Sequence, residues 1–147
     1  MNAATALTVV VPFLWLGMVL AISFLEAPVK FRAPGITVEL GVGIGRLVFR
    51  ALNSVELVLA VALTVALVVA GSLEGVPVAS VVLVIAAWVV LLAQVAVLRP
   101  LMDRKVRAGS TSPSMPRTRL HFGYIGLELA KVGVLVALGV VALVNVG

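Results

Sequence analysis

The run LVLAVALTVALVVAGSL, residues 57–73, carries no charge. After the short interruption Glu74-Gly75-Val76 comes a second run, PVASVVLVIAAWVVLLAQVAVL, residues 77–98. A membrane-crossing helix needs about 20 mostly apolar residues. Two such runs joined by a few residues read as a transmembrane helical hairpin. Working outward, there is no charge between Met1 and Leu25, and a fourth apolar run opens near Leu120 and ends at Val146. The expected fold class is therefore all-α, a single integral membrane domain over 1–147. Its helices are expected at about 6–25, 44–70, 77–98 and 119–146, as a four-helix antiparallel bundle with loops at 26–43 and 99–118.

Composition agrees. Hydrophobic residues make up 63% of the chain, charged residues 12%, and mean hydropathy is +1.27. Soluble domains are about 45–50% apolar and about 25% charged. A soluble enzyme, a disordered tail and a coiled coil are excluded. Aromatics are 5% with no alternating pattern, which argues against a β-barrel. There is no cysteine and a single histidine, His121. Disulfides, thiol catalysis, thiolate metal sites and a multi-histidine centre within one chain are excluded. No metal, cofactor or catalytic set is expected. The first run lacks a basic n-region and is long for a signal peptide, so it is expected to be a retained helix, bent at Pro12.

All 11 Lys and Arg cluster in two places. Lys30, Arg32, Arg46 and Arg50 lie in or beside the first loop. Arg99, Arg104, Lys105, Arg107, Arg117, Arg119 and Lys131 lie in or beside the third loop and the start of helix four. The positive-inside rule then places both termini outside and both these loops in the cytoplasm. A prokaryotic inner or plasma membrane is the expected location, and the lipid bilayer is the expected partner. The pI of about 10.8 needs no nucleic acid. Arg104-Lys105-x-Arg107 reads as a topology signal or as a contact to anionic headgroups. Gly41-x-Gly43-x-Gly45 lacks the strand and GK[ST] ending of a phosphate loop and reads as a flexible or tight approach to helix two. Residues 108–116 read as linker.

The chain also matches itself at an offset of 73. Trp15 falls on Trp88, Leu25 on Leu98, and Arg46-Leu47-x-Phe49 on Arg119-Leu120-x-Phe122. This implies two hairpins related as a tandem repeat with a pseudo-two-fold axis along the membrane normal.

Charge within a membrane is costly and marks a pair or a site. Glu56 lies 14 residues before Ala70, about 21 Å along the helix, and Lys131 lies about 24 Å from the C-terminus by the same rise. Helices two and four run the same way, so the two reach similar depth and an ion pair is expected. Arg46, Arg50, Asn53 and Glu56 fall on one side of helix two. His121, Tyr124, Glu128 and Lys131, with Arg117, fall within an arc of about 80° on helix four. These two stripes predict a cavity open to the cytoplasm, with Gln94 and Glu26 at its rim. They read either as a ligand or ion site or as a purely structural network. Trp15 and Trp88, mid-helix, read as packing residues. Met1, Met18, Met102 and Met115 form no stripe that would carry copper.

Two families share motifs with this chain. Phe24-x-Glu26-Ala27-Pro28-x-Lys30-Phe31, followed by Gly45-Arg46-Leu47-Val48-Phe49, resembles the first hairpin of the transmembrane protein 205 family. Arg99-Pro100-Leu101-Met102-Asp103-Arg104 and Leu120-His121-Phe122-Gly123-Tyr124 are similar to its second hairpin. This resemblance implies four membrane helices and no established activity. Glu128-x-x-Lys131 is more charge than that pattern carries. Phe49-Arg50-Ala51-Leu52-Asn53-x-x-Glu56 is similar to the helix-two motif of the membrane-associated eicosanoid and glutathione proteins, which implies Arg and Asn holding glutathione. Here Asn53 follows Arg50 by three residues, where that family spaces them by four.

Three functions follow as expectations. One is a small permease or binding protein, as a homo-oligomer, taking a small-molecule ligand or ion from the cytoplasmic side. Another is a glutathione-dependent membrane transferase. The third is a non-catalytic accessory subunit of a larger complex.

Overall fold

The computed structural model describes residues 2–98 and 119–147. The loop expected at 99–118, with its basic cluster and Arg117, lies outside the described residues. Among the described residues every regular element is helical, and four helices are long and apolar enough to cross a membrane. We label them α1, Ala3–Lys30; α2, Val38–Glu74; α3, Val78–Leu92 continued by Ala93–Leu98; and α4, Arg119–Val146. Two stretches are π-helical: Leu20–Glu26 within α1 and Ala93–Leu98 at the end of α3. Pro12 lies inside α1, buried against the core.

The first loop is shorter than its composition suggests. Helix α1 runs on through Glu26 to Lys30, and α2 begins at Val38 rather than near residue 44. Thr37 sets that start: its backbone is extended and its hydroxyl accepts from the Leu40 N–H at 3.0 Å, which satisfies one of the orphan donors of the first turn. Glu39 adds a carboxylate where the helix dipole favours one. The glycines are helical rather than flexible, and two serve close approach. A Cβ on Gly41 would collide with the Phe31 ring, and one on Gly45 would lie 2.6 Å from Lys30 Nζ. The end of α1 thus folds back onto the start of α2. Lys30 stands over the rings of Phe31 and Phe49 at 5.5 and 6.0 Å and faces Glu26 at 3.8 Å.

Helix α2 has 37 residues, about 55 Å at 1.5 Å per residue, against a hydrocarbon core of about 30 Å. Its far end closes at Gly75, with φ +81° and ψ 160°, a conformation nearly confined to glycine. Gly75→Ala is expected to cost about 1–3 kcal/mol, read as a lowered unfolding midpoint in mixed micelles.

The core is one cluster drawn from all four helices: Val11, Trp15 and Val19; Ala60 and Leu63; Val84, Ala87 and Leu91; Leu135 and Leu138. Spacings of three and four place each set on one helix face. The opposite faces carry exposed Val and Leu, such as Val58, Val68 and Val144. In water those surfaces would be an aggregation hazard, and in lipid they are the expected exterior. Trp88 donates to Thr64 Oγ1 at 2.9 Å, tying α3 to α2.

Candidate functional site

The buried stripes do not stay apolar. On α2 the buried positions continue below Ala60 to Glu56, Asn53 and Leu52. On α3 they continue past Leu91 to Gln94, and on α4 below Leu135 to Lys131 and Glu128. The polar residues therefore occupy core positions, and they meet. Lys131 Nζ lies 2.6 Å from Glu56 Oε2 and 2.8 Å from Glu128 Oε1. The ammonium sits between the two carboxylates.

Three further contacts complete the centre. The Trp15 indole N–H donates to Glu56 Oε2 at 2.7 Å. The Ser23 hydroxyl donates to Glu128 Oε2 at 2.8 Å, and the Gln94 amide to Glu128 Oε1 at 2.6 Å. All four helices contribute. Glu56, Lys131 and Gln94 are fully buried, and Glu128 is 2% exposed.

The two π-helical stretches converge here. Ser23 belongs to Leu20–Glu26 and Gln94 to Ala93–Leu98, and both donate to Glu128. A π turn inserts one residue and re-aims the side chains that follow, a device frequent at functional sites.

The donors are unevenly shared. Glu128 receives hydrogen bonds on both oxygens. Glu56 receives two contacts on Oε2, while its buried Oε1 has no hydrogen-bond partner. Gln94 Oε1 and both amide atoms of Asn53 are likewise buried without one. Two carboxylates against one ammonium also leave one formal negative charge inside the core. An uncompensated charge in such a place is among the costliest features a fold carries.

Of the residues expected to form the site, Glu56, Glu128 and Lys131 come together, and Asn53 is buried one turn from Glu56. Arg46 is half-buried and Arg50 is exposed. His121 and Tyr124 lie on α4, but their side chains fall outside the described residues. The mouth of the cavity expected between α2 and α4 falls on the side chains of His121 and Tyr124 and on residues 99–118, outside the described residues; the centre itself is packed against Trp15 and Gln94. Trp15 is a hydrogen-bond donor to it as well as a packing residue. Gln94 is a member rather than a rim residue, and Glu26 pairs with Lys30 instead. A cavity of about 80 Å³ does exist, but at the other end of the helices, bordered by Thr5, Thr8, Ser80 and Asn145. Among the described residues no group of three or more His, Asp or Glu side chains is placed to hold a metal ion.

Ser23 and Gln94 were findable. Gln94 follows Leu91 by three, continuing the stripe Val84, Ala87, Leu91. Ser23 follows Val19 by four, continuing the stripe Val11, Trp15, Val19.

No family model, no curated protein and no solved structure matches this chain.

Proposed function

We propose that the chain is a small multi-pass membrane protein whose buried charged centre binds, and passes from the cytoplasmic side, a small ligand or ion. The observation that carries this reading is the imbalance of the centre: one surplus carboxylate charge and unfilled oxygen acceptors, held by side chains from four helices. A network evolved only to lock helices together would gain nothing from an unmatched charge. Intramembrane ionisable groups mark ion and proton paths as a rule.

The finer architecture belongs to the same proposal. The helices form an antiparallel bundle with both termini outside, since the described basic residues Lys30, Arg32, Arg46 and Arg50 crowd one end. The tandem repeat is supported by the π-helical stretches, which begin at Leu20 and Ala93, the same 73-residue offset that aligns Trp15 with Trp88. The kinship with the transmembrane protein 205 family rests on the Phe24–Phe31 and Gly45–Phe49 motifs, which meet where Lys30 lies against Gly45 and over the Phe49 ring. Homo-oligomers are the proposed assembly, because four helices of this size enclose little volume.

The competing reading is a structural lock, favoured by the participation of every helix in the centre. Vesicles containing the protein decide between them. Gradients of protons, sodium and potassium are imposed in turn, and ion entry is followed with internal dyes. One of the three ions is expected to cross faster than in protein-free vesicles, and more slowly again with Glu56→Gln. Rates equal to those of empty vesicles for all three would leave the structural lock.

A further inference from the structure

We propose that the ligand of this centre is a proton, bound at Glu56 Oε1. The inference rests on the ion-binding reading above and names its ligand.

Three observations converge. The position a metal cation would take, between two carboxylates, is already filled by the Lys131 ammonium at 2.6 and 2.8 Å. The remaining charge must therefore be neutralised on an outer oxygen, and a proton is the one cation that needs no added volume in a centre buried almost completely. The donors then say which oxygen. Glu128 is held as a carboxylate by donors on both sides, from Ser23, Gln94 and Lys131. Glu56 is asymmetric: Oε2 accepts from Trp15 and Lys131, as a carbonyl oxygen does, and Oε1 has no donor. A carboxylic acid with its hydrogen on Oε1 is the form this pattern fits.

That hydroxyl in turn needs an acceptor. Asn53, one turn towards the basic end of α2, is 4% exposed with both amide atoms unpartnered, and Gln94 Oε1 is also unfilled. Among the described side chains, the printed contacts of the centre bring no second cation to it. Helix α1 presents Trp15 and Ser23, both neutral, and α3 presents Gln94. Helix α4 presents Glu128 and Lys131, and α2 itself presents Asn53. Arg50 and Arg46 lie about 9 and 15 Å along α2 from Glu56 by helical rise, and Arg50 is exposed. On release the O–H bond at Oε1 breaks, its electron pair stays on the carboxylate, and the proton leaves past Asn53 to water at the basic end.

Infrared difference spectroscopy of the protein in lipid nanodiscs tests this. The wild type is expected to show a buried carboxylic-acid C=O band at neutral pH that shifts in heavy water. Glu56→Gln is expected to abolish it. Trp15→Phe, which removes the donor to Glu56 Oε2, is expected to move the band to higher frequency, and Ser23→Ala, on Glu128, to leave it in place. The last two are mild changes that keep the test open if Glu56→Gln misfolds. Absence of the band, its survival in Glu56→Gln, or a shift with Ser23→Ala but not Trp15→Phe would overturn the assignment. Loss of the band on adding sodium at constant pH would overturn the proton as ligand in favour of an alkali cation. The vesicle experiment fails separately. Flux without the band sinks this inference alone, whereas the band without flux keeps the bound proton and removes transport.

Discussion

Lys131→Met is expected to be the most damaging single substitution in the charged centre. It removes the ammonium between Glu56 and Glu128 and leaves the Glu128 carboxylate without a countercharge in a buried place. Breaking a buried pair by deleting one partner costs about 3–5 kcal/mol. Glu128→Gln should behave differently. Glu56 can then give up its proton and stand as the one carboxylate against the ammonium, so the charge closes. The glutamine oxygen in the place of Oε1 still accepts from Lys131 and Gln94, while its NH2 faces the Ser23 hydroxyl, which can accept. Its expected cost is about 1 kcal/mol, the scale of one altered polar contact within a membrane bundle. The double variant Lys131→Met with Glu128→Gln should recover part of the loss, because the stranded carboxylate is gone. Reversible unfolding in mixed micelles, followed by helical circular dichroism, gives the three values. Equal costs for Lys131→Met and Glu128→Gln would mean that hydrogen bonds, not charge count, hold the centre together.

That asymmetry was partly readable in advance. The pairing of Glu56 with Lys131 follows from counting residues from the outer ends of two parallel helices, because the helical rise is constant and the membrane sets the frame. The donors around the carboxylates do not follow from such counting. Ser23 reaches Glu128 through a π-helical turn, and no glycine or proline within Leu20–Glu26 announces one. Trp15 has an ordinary core position, Val11, Trp15, Val19, so its indole looks like packing until Glu56 is found beside it. The start of α2 was obscured for another reason. Three glycines lower helix propensity by about 1 kcal/mol each, yet Phe31 and Lys30 pack on two of them, and tertiary contact outweighs propensity. The length of the apolar runs decides the fold, whereas backbone irregularities that hydropathy does not register decide the chemistry of the site.

Those irregularities act only if α1 stays close to α4, and Gly139 is a point of close approach between the two. Gly139 is buried, and a Cβ built on it would lie 2.6 Å from Cζ of Phe13. The ring meets the glycine end-on, so Gly139→Leu must push the two helices apart or drive Phe13 outward. Overpacking of this kind costs about 1–3 kcal/mol. Gly133, on the same helix, has nothing within 4 Å of such a Cβ and is exposed. Gly133→Leu is therefore expected to be neutral or to stabilise by up to about 1 kcal/mol through helix propensity. Combining Gly139→Leu with Phe13→Ala should restore most of the loss, since the leucine then fills the volume the ring vacates. The consequence for the site separates packing from positioning. Phe13 meets Gly139 ten residues before Ser23 meets Glu128, eleven residues back along α4. Forcing the outer contact open tilts α1 against α4 and lengthens the hydrogen bond from Ser23 and, nearer still, the one from Trp15 to Glu56. Gly139→Leu should accordingly broaden or shift the carboxylic-acid band, and the Phe13→Ala partner should bring it back. A lowered stability with an unmoved band would show that the α1–α4 contact supports the fold alone and that the polar centre holds its own geometry.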